Sequence, residues 1–157
     1  MEYSTSMTTI AYCNGVLACD SRITSDSQYV GSAIKAIKTD KYLLAACGDL
    51  NCVQAFLRWG KKGFTDNKLR ELLSQEITKN KGSFTGVSID TTGTVYEFLD
   101  SVLPAPIKMY KGMYSIGSGS EYALGAMAAG CASRDAIKIA AKFDVNTGGK
   151  IREVYHG

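Results

Sequence analysis

The sequence predicts an α+β layered fold, with strands and helices in separate blocks rather than in alternating βαβ units. Three observations carry that expectation: an Asn-Gly hairpin signal near the start, a change from alternating to helical apolar spacing near Val53, and the same succession repeated in the second half of the chain. With 157 residues the chain is one domain at roughly 100–200 residues per domain. It is long enough to bury a core.

The elements follow in order. Thr8–Cys13 and Val16–Arg22 flank Asn14-Gly15, whose residues both tolerate positive φ and so favour a two-residue hairpin. Further strands are expected near Ala33–Ile37 and Tyr42–Cys47. Val53, Phe56 and Leu57 then fall at i, i+3 and i+4, and Gly60 reads as the helix stop. A second helix starts at Thr65 or Asp66 and turns Leu69, Leu72, Leu73 and Ile77 to one face. Phe84–Asp90 and Thr94–Leu99 flank a turn at Thr91-Thr92-Gly93, and Pro104 and Pro106 demote the next segment to an edge or loop. Tyr110–Ile116 is a strand candidate leading to Gly117-Ser118-Gly119-Ser120. Ser120 reads as the N-cap of a helix reaching Ala129. Ser133 reads as the cap of another helix, with Ala136, Ile137, Ala140 and Ala141 inward. A last strand is expected at Ile151–His156.

Composition excludes several chemistries. The one histidine is His156, second from the end, which sets aside Ser-His-Asp, Cys-His and multi-histidine zinc sites. A proton acceptor must then be a carboxylate, a lysine or the chain's own amine. A net charge of +3 is too small to imply nucleic acid, and the densest basic spots, Lys61-Lys62 and Lys79-Asn80-Lys81, read as solvated helix ends. No apolar run approaches the roughly 20 residues of a membrane span, and no signal-peptide pattern opens the chain, so the expected location is cytoplasmic. The five cysteines (Cys13, Cys19, Cys47, Cys52, Cys131) are odd in number, form no CxxC pair and mostly sit in apolar stretches, so they read as reduced core thiols.

Taken singly, the candidate site residues are bland. Thr8-Thr9-Ile10 opens a strand, Asp20 ends one, Lys35 sits inside an apolar segment, Gly117-Ser118-Gly119-Ser120 is a turn or a backbone nest, and Asp144-Val-Asn-Thr147-Gly148-Gly149 is a loop after a helix. Their joint order, with Ala46-Cys47-Gly48-Asp49 before the first helix, resembles the N-terminal-nucleophile (Ntn) hydrolases, and within them the short proteasome β-subunit and HslV type of threonine peptidase. The landmarks run from residue 8 to residue 149.

The resemblance implies a four-layer αββα sandwich, two antiparallel sheets flanked by helices. It implies that Thr8 is the nucleophile and that its own free α-amine is the base. Lys35 would favour the ionised hydroxyl, Asp20 would orient Lys35, Ser118, Asp144 and Thr147 would surround the amine, and the Gly48 N–H would face the oxyanion. No cofactor and no metal are implied; the one cation candidate is the set of backbone carbonyls around Asp144 and Thr147. The implied partners are unfolded protein or peptide substrates, a homo-oligomeric ring and an ATP-dependent unfoldase, without nucleic acid or membrane.

Two features depart from the family pattern. Residues 1–7 precede Thr8, so they read as an N-terminal extension: a propeptide, a mis-called start with translation beginning at Met7, or an expression remnant. Residues 8–157 are then the single Ntn-hydrolase-like domain, with only Lys150–Gly157 left after the Gly148-Gly149 pair. Two other readings stay open: an Ntn amidase or acylase acting on a small substrate, and a non-catalytic proteasome-like assembly protein with an unprocessed N-terminus.

Overall fold

The computed structural model describes residues 5–6, 8–25, 28–79 and 83–157. Most of the N-terminal extension and part of the Lys79–Lys81 basic spot therefore lie outside the described residues. The first hairpin forms as expected: β2 (Thr9–Cys13) and β3 (Val16–Cys19) pair in register from Ile10↔Cys19 to Cys13↔Val16. Asn14 at φ 50° and Gly15 at φ 80° make the turn between them. β3 ends at Cys19 rather than Arg22, and the chain bends into a separate hairpin, β4 (Arg22–Ser25) and β5 (Gln28–Ser32), that the alternation did not disclose.

β6 (Ala36–Lys38) and β7 (Tyr42–Asp49) follow, then α1 (Leu50–Lys61) and α2 (Asn67–Lys79). Asp49 caps α1, accepting from the Asn51 and Cys52 N–H groups, and the Asp66 carboxylate accepts from Lys68 and Leu69 N–H at the head of α2. Gly60 does not stop α1. It lies inside the helix because a Cβ there would stand 2.3 Å from the Leu44 side chain, so its smallness serves packing against β7. On α2, Leu73 and Ile77 are buried as expected but Leu72 is exposed.

β8 (Phe84–Asp90), β9 (Val95–Leu99) and β10 (Ala105–Ile107) extend the sheet outwards, with Pro106 on the edge strand where a missing N–H is tolerated. β11 (Tyr114–Gly117), α3 (Ser120–Ala128), α4 (Ser133–Phe143) and β12 (Arg152–Tyr155) complete the chain. Ser120 and Ser133 each occupy the first helical turn rather than the cap, and neither cap position makes a side-chain hydrogen bond. Ala136, Ile137 and Ala140 face inward as expected, whereas Ala141 is exposed.

Two antiparallel sheets result. The larger has the order β10-β9-β8-β7, then a short β1 (Thr5–Ser6), β4 and β5, with β6 also on β7; the smaller has the order β11-β2-β3-β12. Period-two alternation along β7 assigns the layers: Leu43 and Ala45 face the smaller sheet with Ile10, Leu17 and Cys19, while Leu44 and Ala46 face α1 with Phe56. On the other side of the small sheet, Ala11, Cys13 and Ala18 meet Ala123, Ala136 and Ile137 of α3 and α4. The architecture is helix, sheet, sheet, helix, in agreement with the expected αββα sandwich.

Beneath α1 the core is aromatic. Phe56 lies 5.0 Å from Phe98 and 5.5 Å from Phe84, and Trp59 lies 4.8 Å from Phe64, centroid to centroid. Phe64 pays for its place with a left-handed backbone, φ 62°, a strain of about 1–2 kcal/mol for a bulky residue.

Candidate active site

Thr8 precedes β2 and is completely buried in the chain that carries residues 1–7. Its carbonyl accepts from Ser118 N at 2.8 Å, which locks the head of β2 to the turn after β11. That approach requires Gly117: its φ is 104°, and a Cβ there would stand 1.8 Å from the Thr8 carbonyl oxygen. The Thr8 hydroxyl contacts the Cys19 thiol at 3.7 Å.

Asp20 and Lys35 meet as a fully buried ion pair, Lys35 Nζ to Asp20 Oδ1 at 2.9 Å. Lys35 also donates to the Arg22 carbonyl at 2.6 Å, and Gly148 N donates to Asp20 Oδ2 at 2.8 Å. Burial pushes the Asp20 carboxyl above its ordinary value, while the Lys35 ammonium and the Gly148 N–H pull it back. Between this pair and Thr8 sits Cys19. Burial and the Asp20 charge push its thiol up to about 12, against the opposing pull of Lys35 and of the bond with Thr8. Among the described residues no hydrogen bond joins Thr8 directly to Lys35 or Asp20.

Asp144 collects the second group. Its Oδ2 accepts from Ser118 Oγ at 2.5 Å and from Thr147 Oγ1 at 2.6 Å, and its Oδ1 accepts from Asn146 N at 3.1 Å. Thr147 has one hydroxyl hydrogen and gives it to Asp144, so in the 2.7 Å contact between Thr9 Oγ1 and Thr147 Oγ1 it is Thr9 that donates. The result is a chain Thr9–Thr147–Asp144–Ser118 that returns to the Thr8 carbonyl. The Asp144 carbonyl, one of the cation candidates, accepts the Thr147 N–H.

Gly48 completes the group on β7. It has φ 113°, and a Cβ would meet the Ser83 carbonyl oxygen at 2.1 Å, so the position accepts only glycine while β7 pairs with β8. A cavity of about 300 Å³ opens here, lined by Thr8, Cys47, Gly48, Phe84, Asp100 and Ser118. β8 holds one edge of β7 throughout. On the other edge β6 pairs as far as Ala45, and β1 then takes over, Ser6 opposite Gly48 and Thr5 opposite Asp49. β1 also pairs with β4, Thr5 opposite Thr24. Extended backbone just ahead of Thr8 thus lies as a strand between β7 and β4.

All seven expected positions gather around the head of β2, as two groups: Asp20 with Lys35, and Ser118 with Asp144 and Thr147, with Thr8 and Gly48 alongside. Sequence reasoning missed Thr9 as the link to Thr147, Cys19 as the contact of Thr8, and the Arg22 carbonyl as a partner of Lys35. Thr9 and Cys19 carried only strand signals. For Arg22, the missed hairpin concealed the bend that aims its carbonyl at Lys35.

No family model and no curated protein matches the sequence. Solved structures do match. A Gly-1 mutant of Anbu from Hyphomicrobium sp. strain MC1 superposes with a TM-score of 0.65 at 10% identity, over 94% of this chain and 80% of that one. BPH from Thiobacillus denitrificans, in complex with epoxomicin, superposes with a TM-score of 0.61 at 17% identity, over 94% of this chain and 96% of that one. The shared layers are those of the Ntn-hydrolase-like fold, and this chain has that fold.

Proposed function

We propose that the chain is a threonine peptidase of the proteasome-like kind, cutting peptide bonds in unfolded polypeptides once Thr8 is the first residue. The observation that carries this reading is the convergence of a buried cation–carboxylate pair and a second hydroxyl–carboxylate chain on the head of one strand, at Thr8. A solved neighbour that holds epoxomicin adds support.

In the proposed reaction the Thr8 hydroxyl oxygen bonds to the substrate carbonyl carbon and its proton passes to the Thr8 α-amine. That amine has an ordinary pKa of about 7.7–8.0, so much of it is free base near neutrality. The Gly48 N–H stabilises the oxyanion, a contribution of about 3 kcal/mol for one such donor. The C–N bond then breaks and the amine hands its proton to the leaving nitrogen, leaving an ester on Thr8. Water attacks the ester, returns a proton to the hydroxyl and releases the acid. Lys35, held by Asp20, favours the ionising hydroxyl through its charge, and Ser118 and Asp144 position the head of β2. The slot between β7 and β4 is proposed to hold the substrate as a strand, in the place that Thr5–Ser6 fill here.

The apolar outer face of α3 and α4, where Tyr122 stacks on Phe143 at 5.4 Å beside exposed Val145, supports assembly into a ring. No helix among the described residues is long and apolar enough to cross a membrane.

A second reading has one observation in its favour: with β1 in the slot and Thr8 in an amide bond, the intact chain suits a non-catalytic assembly protein. Intact-mass measurement of protein treated with an epoxyketone peptide separates the two. The expected outcome is a species beginning at Thr8 that gains one inhibitor mass, with no gain in T8A. Full peptidase activity from a chain that retains residues 1–7 would overturn the mechanism.

A further inference from the structure

The slot between β7 and β4 accounts for one side of Thr8. At Gly48, Ser6 of β1 pairs on one edge of β7 and Phe84 of β8 pairs on the other. A substrate whose acyl part lies in the place of β1 carries its leaving part past Thr8 to the β8 side. The cavity of about 300 Å³ lies there, with Leu99 and Asp100 at the end of β9 in its wall. Three observations give this cavity a side-chain preference.

The first is charge. Asp100 is the one charged residue among those that line the cavity; the others are apolar or neutral. No ion pair among the described residues engages it.

The second is rigidity. The alternation of β9 would turn the residue after Leu99 to the opposite face, but Asp100 has a left-handed backbone, φ 48°. It is tied to the head of β8 twice: its N–H donates to the Phe84 carbonyl at 2.9 Å, and its Oδ1 accepts from Phe84 N at 2.9 Å. The second carboxylate oxygen takes no hydrogen bond among the described residues. The charge is therefore held in place with one oxygen unused.

The third is the apolar approach to that charge. Thr85 pairs with Cys47 on one side and Leu99 on the other, so the three share one face of the sheet and lead across the cavity wall towards Asp100. Leu99 is 63% exposed there. An apolar stretch that ends at a fixed carboxylate matches a side chain with an alkyl stem and a cationic head.

We infer that this cavity takes the residue that follows the cleaved bond, and that Asp100 makes it select lysine or arginine, the stem along Cys47 and Leu99 and the head on the unused carboxylate oxygen. The assignment to the leaving side rests on the peptidase reading above. A charge-assisted bond from the substrate's ammonium or guanidinium to Asp100 supplies the selectivity.

The experiment has two arms. In the first, the full chain is given internally quenched peptides that differ only at the residue after the cleaved bond, which is lysine, norleucine or glutamate; product masses fix the cleavage position. Norleucine keeps the alkyl stem and lacks the charge. The expected kcat/KM for lysine is about fivefold above norleucine and about tenfold or more above glutamate. In D100N the lysine advantage over norleucine falls to within about twofold. Asparagine keeps an oxygen for the Phe84 N–H and tolerates the left-handed backbone, so the fold is retained. In the second arm, N-acetyl-lysine methylamide and N-acetyl-glutamate methylamide are titrated into T8A, and the Phe84 amide resonance is followed by NMR. A larger, saturable shift with the lysine compound is expected, and its loss when D100N is added.

Equal cleavage of the three peptides, or a lysine advantage that survives in D100N, would overturn the inference and leave the peptidase reading standing. Equal shifts by the two amides would also overturn it. Cleavage of none of the peptides, with the lysine amide still the stronger binder, would remove the peptidase reading and uphold the basic preference of the cavity.

Discussion

The buried centre around Asp20 and Lys35 and the aromatic layer beneath α1 are equally inaccessible to water, yet they are held together by different physics. Lys35 and Phe56 are both among the largest fully buried side chains. Phe56 is stabilised by contact with Phe84, Phe98 and Phe64, which depends on shape and area and tolerates rearrangement. Lys35 is held by directed bonds to one carboxylate oxygen and one carbonyl, and each of those acceptors is itself buried or committed. Removing Lys35 leaves a charge behind, whereas trimming Phe56 leaves only space.

The sharpest break of that comparison is a pair of substitutions of similar volume. K35M is expected to cost about 3–5 kcal/mol because Asp20 is left buried and unpaired, while F56L costs about 1–2 kcal/mol; urea unfolding of the two variants measures both. Adding D20N to K35M removes the orphaned charge and keeps an oxygen for the Gly148 N–H, so the double variant is expected to recover more than half of the loss. A double variant as unstable as K35M alone would mean that the pair is held by shape after all.

The next effect tests the backbone of the site. G48A puts a Cβ against the Ser83 carbonyl at a positive φ and is expected to cost about 2–3 kcal/mol, whereas G63A, where open space surrounds the Cβ, costs only the backbone term of about 1 kcal/mol. Thermal melting ranks the two.

The smallest effect is the pH response of the buried thiols. Burial raises Cys19 and Cys47 from the ordinary range to about 12 in the folded chain. Their neutral forms therefore contribute stability that is fully present below about pH 8.5 and is lost as the pH rises towards 12. At pH 8 iodoacetamide is expected to alkylate half-buried Cys131 first, and fully buried Cys19 only at the rate of unfolding. Prompt labelling of Cys19 in the native chain would show that the centre beside Thr8 is open.

Much of the fold was legible because its signals are local. Asn14-Gly15 makes a turn wherever it occurs, the alternation in β7 divides Leu43 and Ala45 from Leu44 and Ala46, and Leu73 with Ile77 marks the inner face of α2. The misreadings also share a cause. Gly60 reads as a helix stop by propensity, but Leu44 needs its lack of a side chain; Ala141 fits the helical period, but no neighbouring layer reaches it. The hairpin of β4 and β5 shows no clean alternation in the sequence, and what places β4 in the sheet is its pairing with β1 on one edge and β5 on the other.

By itself, the sequence determined the succession of strand and helix blocks, the absence of an imidazole base beyond His156, and the residue types available for chemistry, because composition and short-range spacing need no partners. Only the tertiary structure decided that Gly148 would reach Asp20 across 128 positions, that Thr9 would bond Thr147 across 138, and that an exposed strand edge on β7 would be filled by Thr5–Ser6. Such contacts join segments with no local reason to meet. They form because burying both sheets brings the head of β2 and the loop after α4 to the same place, where each buried polar group must find its partner.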